Sequence, residues 1–157
     1  MLQGLVCSRT DCTLTVISQY EPIRQQAQRM GIAAVDSPDS PKGISFTIRA
    51  GLDALNTIPE QDYVVFVVAD QPYLTAQTVE RLLDAADAGV QTAMVVWGEQ
   101  AGNPALFSAR LIPELRALEG DQGGRKVLRR YPEGQLRIPA GCALELSDID
   151  SPDQILE

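Results

Sequence analysis

Residues 63–72 read Tyr-Val-Val-Phe-Val-Val-Ala-Asp-Gln-Pro, and this stretch gives the strongest indication of the fold. The run Tyr63–Ala69 is apolar on both faces, which is typical of a strand buried in a parallel sheet. Pro72 prevents the strand from continuing, because proline cannot donate to a sheet ladder. Ligands of such sheets gather outside the carboxyl ends of the strands. Asp70 follows the strand at that edge, so it either holds a hard cation such as Mg²⁺ against phosphate oxygens or simply turns the chain.

The composition and net charge limit which classes of function are possible. The chain has 157 residues, of which 45% are hydrophobic and 22% charged, as in an ordinary globular domain. Its net charge of −8 argues against binding to a nucleic-acid backbone, which needs a basic face. A small phosphorylated substrate remains compatible with that charge. Histidine is absent, which excludes histidine bases, histidine triads and zinc sites built on histidine.

The sequence also predicts a location. No apolar run approaches the roughly 18 residues needed to cross a bilayer, and no charged-then-apolar leader is visible. The cysteines, Cys7, Cys12 and Cys142, are odd in number and lack Cys-x-x-Cys spacing. We interpret them as reduced thiols, and we expect a cytoplasmic protein without membrane contact.

Apolar spacing and turn residues predict alternating strands and helices. The alternation predicts an α/β fold with a mostly parallel sheet, in one domain spanning residues 1–157. The predicted strands are Thr13–Ser18, Ile32–Val35, Tyr63–Ala69, Gln91–Trp97, Leu136–Ile138 and Ala143–Leu146, with a short apolar piece at Ala105–Phe107. The predicted helices are Glu21–Met30, Ser45–Leu55, one capped by Thr75, Leu111–Leu118, Arg125–Arg130 and one opened by Ser151 and Pro152.

Four further motifs fall at junctions between these elements. Residues 43–51 place a glycine and hydroxyls at a helix start, which either attracts an anion or merely caps the helix. Residues 102–107 form a loop before a strand, and residues 120–125 form a glycine-rich turn that admits a ligand or lies in solvent. Residues 148–153 bring carboxylates before a helix, where they also complement its dipole. Taken singly, each motif is explained by local structure.

In order and spacing, however, the motifs resemble those of the MobA-like NTP transferases, in particular the molybdenum-cofactor cytidylyltransferase (MocA-like) branch. That family has Gly-Asp-(Gln/Met)-Pro, Gly-x-Pro-x-Leu-Phe, Gly-Asp-x-Gly and Asp-Ile-Asp-Thr-Pro elements. The corresponding segments here are residues 69–72, 102–107, 120–123 and 148–152, and the family's serine-rich turn corresponds to residues 43–51.

The resemblance implies a Rossmann-like three-layer sandwich of the nucleotide-diphospho-sugar transferase type. It also implies transfer of CMP from CTP to molybdopterin, with release of pyrophosphate and Mg²⁺ as cofactor. Asp70 would be the catalytic residue and the principal metal ligand, joined by Asp150 and by Asp148 as a further candidate. The nucleotide-binding residues would be Gly43, Ser45 and Thr47. The substrate-binding residues would be Gln71, Gly102, Asn103, Pro104, Asp121 and Gly123.

The start of the chain departs from the family. The family begins with a strand and a glycine-rich loop of the form Leu-Ala-Ala-Gly-x-Ser-x-Arg-Met-Gly-x-x-Lys, which binds the triphosphate. This sequence has no such segment, and its residues 1–6 resemble the helix that follows the loop. We therefore expect a family member that lacks the first strand and is not fully active as written. Ala69 also replaces the usual glycine, and Phe46 and Thr47 interrupt the serine run.

Two alternative functions stay open at this point. One is a non-catalytic cofactor-binding or chaperone protein for a molybdoenzyme partner, which the absent loop favours. The other is a guanylyl- or sugar-nucleotide-type transferase, since fold does not fix substrate. Self-association also stays open, because strands beside the missing one would have unpaired edges.

Overall fold

A computed structural model describes residues 12–151 of the chain. Their contacts define two compact units. One unit takes the residues up to Glu60 together with Ala109–Arg130, and the other takes Gln61–Ser108 together with the residues from Tyr131 onward. The single domain predicted for residues 1–157 stays a prediction.

Strands and helices alternate over most of the described chain. The strands are β1 (Thr15–Ser18), β2 (Ala33–Asp36), β3 (Tyr63–Phe66), β4 (Thr92–Trp97), β5 (Gln100–Ser108) and β6 (Gln135–Pro139). The α-helices are α1 (Glu21–Arg29), α2 (Ile44–Ala54), α3 (Ala76–Asp84), α4 (Ile112–Arg116) and α5 (Arg125–Leu128). Short 3-10 turns occupy Ser40–Lys42, Ala85–Ala88, Ala109–Leu111 and Ala143–Leu146. No helix within residues 12–151 is both long and apolar enough to cross a membrane.

The first unit contains a parallel strand pair with its crossover helix. β1 and β2 pair from Thr15 opposite Ala33 to Ser18 opposite Asp36, and α1 connects them. Helix α2 packs against both strands and against α4. It does so through an apolar face on which Ile48 and Leu52 are buried, as the sequence spacing predicts. A βαβ unit of this kind is the basic piece of a parallel sheet.

The second unit is built on a four-stranded sheet in the order β3-β5-β4-β6. β5 is antiparallel to both β3 and β4, while β6 is parallel to β4. Three strands therefore run in one direction and only β5 opposes them. The predicted α/β class with a mostly parallel sheet is confirmed. The core of this unit packs Leu82 of α3 against the sheet residues Val95, Leu106 and Ile138.

Three sequence predictions need correction or narrowing. Residues Ala143–Leu146 form a 3-10 turn and not a strand, because the Glu145 side chain turns inward to satisfy backbone donors. β3 ends at Phe66, so Val67–Ala69 lie in the connection to Asp70. The short piece Ala105–Phe107 belongs to the longer strand β5. The helix predicted from Ser151 and Pro152 lies beyond the described residues.

Candidate functional site

Asp70 lies in the turn that follows β3, and it is exposed. Its backbone carbonyl accepts a hydrogen bond of 2.8 Å from the backbone N–H of Ile149. Ile149 stands between Asp148 and Asp150 in the sequence. The structure therefore brings the Asp70 turn against the late acidic segment within one unit, although 78 positions separate Asp70 from Asp148 in the chain (148 − 70).

Gln71 makes the second connection between these segments. Its side chain is buried, with 6% exposed, and its Nε2 donates to Asp148 Oδ1 over 2.9 Å. Its Oε1 is also buried, and within the described residues this oxygen has no hydrogen-bond partner. Gln71 thus orients one carboxylate and retains an unused acceptor. Its substrate-binding role stays a prediction.

Glu145 makes the third connection and is 2% exposed. Its Oε2 accepts from the backbone N–H of Thr75 at 3.4 Å and lies 3.2 Å from the Thr75 hydroxyl, while its Oε1 accepts from the Gly141 N–H at 2.9 Å. Burial by itself raises the pKa of this carboxyl. Hydrogen bonds from Thr78, Thr75 and Gly141 outweigh burial, so the pKa of Glu145 is lowered.

The predicted substrate residues on β5 lie at an irregularity of the sheet. Met94 pairs with Ala105 and Val95 pairs with Gly102, so Asn103 and Pro104 have no partner on β4. Such a bulge turns side chains away from the regular ladder and is frequent beside functional sites. The Asn103–Pro104 peptide bond is cis.

Gly102 connects this bulge to the late acidic segment. A Cβ atom at Gly102 would lie 3.0 Å from Leu146 Cδ2, so the strand passes close to the turn that carries Glu145. The residues predicted around Asp70, Asp148 and Gly102 thus share the second unit.

The carboxylates suit a hard divalent cation when substrate oxygens complete the ligand set. Asp70 and Asp150 are exposed, whereas Asp148 directs one oxygen to Gln71. Within residues 12–151, no three acidic, histidine or cysteine side chains stand close enough together to hold a metal ion by themselves. Mg²⁺ commonly takes only one or two carboxylates and completes its shell with water and substrate phosphates. Asp70 and Asp150 are therefore the candidate pair for such an ion.

The remaining predicted residues belong to the first unit and meet at the start of α2. Gly43 has a φ of +129°, and a Cβ atom there would lie 2.7 Å from the Asp121 nitrogen and closer still to the Gly120 carbonyl. The backbone N–H of Ser45 donates to the Gly120 carbonyl at 3.1 Å. Gly123 in turn lies against Ile44. Only glycine fits at position 43, because the 120–123 turn occupies the space of a side chain.

The hydroxyl groups predicted to bind the nucleotide have partners within the protein. The Ser45 side chain is fully buried and accepts from Arg49 Nη2 at 3.4 Å. Thr47 Oγ1 lies 2.7 Å from Ser40 Oγ. These contacts stabilise the helix start, and the nucleotide-binding role of Gly43, Ser45 and Thr47 stays a prediction.

Arg49 also stabilises the start of α2. Its guanidinium donates to the Leu118 carbonyl and stacks over the Phe46 ring with 4.5 Å between Cζ and the ring centroid. Sequence reasoning missed both Arg49 and Glu145. Arg49 sits within a quoted motif, but its partner Leu118 lies 69 residues away in the chain. An isolated glutamate in a predicted strand gave no signal.

The topology is that of Rossmann-like nucleotidyltransferases. A nucleotidyl transferase from Methanothermobacter thermautotroptrophicus (Mth528) superposes with a TM-score of 0.74, covering 97% of this chain and 73% of that one at 16% identity. Rv0371c of Mycobacterium tuberculosis H37Rv, solved in complex with manganese, gives a TM-score of 0.66 at 19% identity, covering 96% and 79%. At these identities the likeness concerns the fold.

The sequence assigns the family. The model of the MobA-like NTP transferase domain matches residues 6–135, so the chain belongs to that family. Purine catabolism protein PucB of Bacillus subtilis (strain 168) is 29% identical over 122 residues, which are 74% of this chain and 56% of PucB. The chain therefore spans little more than half the length of this curated relative. The family resemblance seen in the motifs is confirmed.

Proposed function

We propose that this chain carries out, as part or whole of a nucleotidyltransferase, the transfer of CMP from CTP to molybdopterin with release of pyrophosphate. One observation carries the proposal. The Asp70 turn and the Asp148–Asp150 segment are joined by the Ile149 to Asp70 and Gln71 to Asp148 hydrogen bonds. Two exposed carboxylates are thereby held on neighbouring segments at the end of β3. Family membership and the likeness of the motifs to the MocA-like branch supply the reaction class.

The residues fit this reaction because nucleotidyl transfer asks little covalent chemistry of a protein. It requires alignment of the attacking phosphate and stabilisation of the charge that develops on phosphate oxygens. Asp70 and Asp150 would hold a divalent cation, with Mg²⁺ as the proposed ion, and the manganese complex of Rv0371c supports a divalent ion at this fold. When bound, the ion would neutralise phosphate charge.

The protein's own residues would orient the reactants. Asp148, fixed by Gln71, keeps the late segment against the Asp70 turn. At the start of α2, the Ser45 N–H already donates to the Gly120 carbonyl. We therefore assign any contacts of CTP with this helix start to other backbone N–H groups. Gly102–Pro104, at the bulge of β5, are the proposed acceptor contacts.

Calorimetry with CTP and Mn²⁺ tests the proposal without requiring turnover. We expect binding by the unmodified chain, loss of that binding in Asp70→Asn, and unchanged binding in Asp62→Asn. Asp62 is the matched control, since it is an exposed aspartate at the opposite end of β3. Binding that is equal in all three proteins, or absent from the unmodified chain, would refute the metal role of Asp70. A pyrophosphate assay with CTP, GTP and molybdopterin then separates cytidylyl transfer from guanylyl transfer.

A further inference from the structure

We propose that Glu145 is a positioning residue for the divalent-cation site at Asp70, a role that rests on the function proposed above. The starting observation is a fully buried carboxylate without a cationic partner among its hydrogen bonds. Its two oxygens are directed to backbone and hydroxyl donors of Thr75 and Gly141. Burying a charge is costly unless hydrogen bonds replace its water. A carboxylate held in this way fixes the segments that supply the donors.

The donors come from the start of the helix that follows the Asp70 turn. Thr75 is the N-cap of α3, and its hydroxyl accepts from the Thr78 N–H. The negative charge of Glu145 lies beside this helix start, where unpaired N–H groups and the helix dipole favour an anion. Glu145 therefore ties the beginning of α3, five residues after Asp70, to the turn Ala143–Leu146.

The same turn leads directly into the acidic segment. Asp148 follows Glu145 by three residues, and Leu146 between them packs against Gly102 on β5. The Gln71 to Asp148 and Ile149 to Asp70 hydrogen bonds complete a closed set of connections. Among these connections, Glu145 supplies the only buried charge. Its loss would leave the acidic segment held only by those two hydrogen bonds and would loosen the spacing of Asp70 and Asp150.

Glutamine is the informative replacement at position 145. It has nearly the shape of glutamate, but it offers one oxygen where the carboxylate offers two. Oε1 and Oε2 serve Gly141 and Thr75 separately, so one of these donors would face an NH₂ group in Glu145→Gln. The variant thus removes the connection without opening a cavity.

The experiment measures Mn²⁺ affinity by electron paramagnetic resonance, using the full chain at a temperature where far-UV circular dichroism shows each variant folded. We expect the dissociation constant to rise about tenfold in Glu145→Gln, which is the usual scale for residues that orient metal ligands. Ile138→Val is the control for lost stability, because it trims a buried core residue of the same unit. Its Mn²⁺ affinity should match that of the unmodified chain.

The outcomes separate the two proposals. Asp70-dependent Mn²⁺ binding that Glu145→Gln leaves unchanged overturns the positioning role and leaves the proposed function standing. An equal loss of affinity in Ile138→Val also overturns it, because lowered stability then suffices. Mn²⁺ binding that Asp70→Asn does not alter overturns both proposals.

Discussion

Gln71 directs its side-chain N–H group to Asp148 at 2.9 Å and leaves its own buried oxygen without a partner in the described chain. The residue after the Asp70 turn is thus tied to a carboxylate far along the sequence. The hydrogen bond from Nε2 stabilises the folded state, whereas burying Oε1 without a partner destabilises it. This balance determines how substitutions at position 71 should behave.

Gln71→Met should change the free energy of unfolding by less than about 1 kcal/mol. The variant loses a hydrogen bond to a charged group, which contributes about 1.5–3 kcal/mol, and it removes an unsatisfied buried oxygen that costs about 1–3 kcal/mol. Urea denaturation measures the difference. The Mn²⁺ affinity should nevertheless fall, because Asp148 is no longer held.

Gln71→Glu provides the contrast to the methionine variant. It would bring two carboxylates together at the position of the 2.9 Å contact, so we expect clear destabilisation near neutral pH and partial recovery in acid. If the glutamate variant were as stable as the methionine variant at pH 7, the Gln71 to Asp148 contact would not be formed in solution.

Asp70→Asn should abolish metal-dependent activity while preserving the fold. Asp70 is exposed, so its replacement should alter the free energy of unfolding by no more than about 0.5 kcal/mol. If Asp70 holds the ion as proposed, its loss should lower the rate of pyrophosphate release by about 100-fold or more. Steady-state assays at several Mg²⁺ concentrations measure this effect. Asp62→Asn, treated identically, should retain the rate of the unmodified chain.

Gly43→Ala should strongly destabilise the first unit. Alanine at a φ of +129° is strained, and its Cβ would overlap the Gly120 carbonyl. Strain and overpacking together should cost about 2–5 kcal/mol. The midpoint of chemical denaturation, read from circular dichroism, gives the measurement.

Gly31→Ala is the matched control for the alanine at position 43. Gly31 also has positive φ, at +73°, but nothing lies within 4 Å of a Cβ placed there. Only backbone strain applies, so the expected cost is about 1–2 kcal/mol. Equal costs at the two positions would show that the 120–123 turn moves aside easily.

Glu145 should make stability depend on pH in acid. Its pKa is lowered in the folded state from the ordinary value of 4.5, so its contribution is complete above pH 4.5 and disappears as the pH falls through the folded-state pKa. Glu145→Gln should therefore lower stability at pH 7 and flatten the decline below pH 4.5. Thermal unfolding from pH 3 to pH 7 measures both effects. If the stability of the unmodified chain and of Glu145→Gln changed with pH in parallel, the lowered pKa of Glu145 would be contradicted.

Local signals in the sequence predicted much of the fold. Thr75 caps its helix as predicted because the cap requires only Thr75 and Thr78, three residues apart. The apolar spacing of Ile48 and Leu52 likewise predicts the buried face of α2. Such patterns depend on short-range geometry, which a single sequence carries in full.

What escaped prediction depends on contacts between segments distant in the chain. The alternation around Glu145 suggested a strand, but bonds to Thr75, 70 residues away, hold the segment in a 3-10 turn. The bulge at Asn103 and Pro104 is defined by a register shift on β4, which no local pattern encodes. The position of Asp70 just after a strand was predicted because a strand end is a local feature. The connection of this turn to Asp148 through Gln71 was not predicted.

The close approach of Gly43 and Gly120 has a consequence for engineering. Because the 120–123 turn fills the space that a side chain at position 43 would need, the two segments cannot be exchanged one at a time between related proteins. A chimera that imports residues 43–51 from another transferase should fold only when residues 118–124 come from the same parent. Exchanges of either stretch with a related protein should therefore move the two stretches as a matched set.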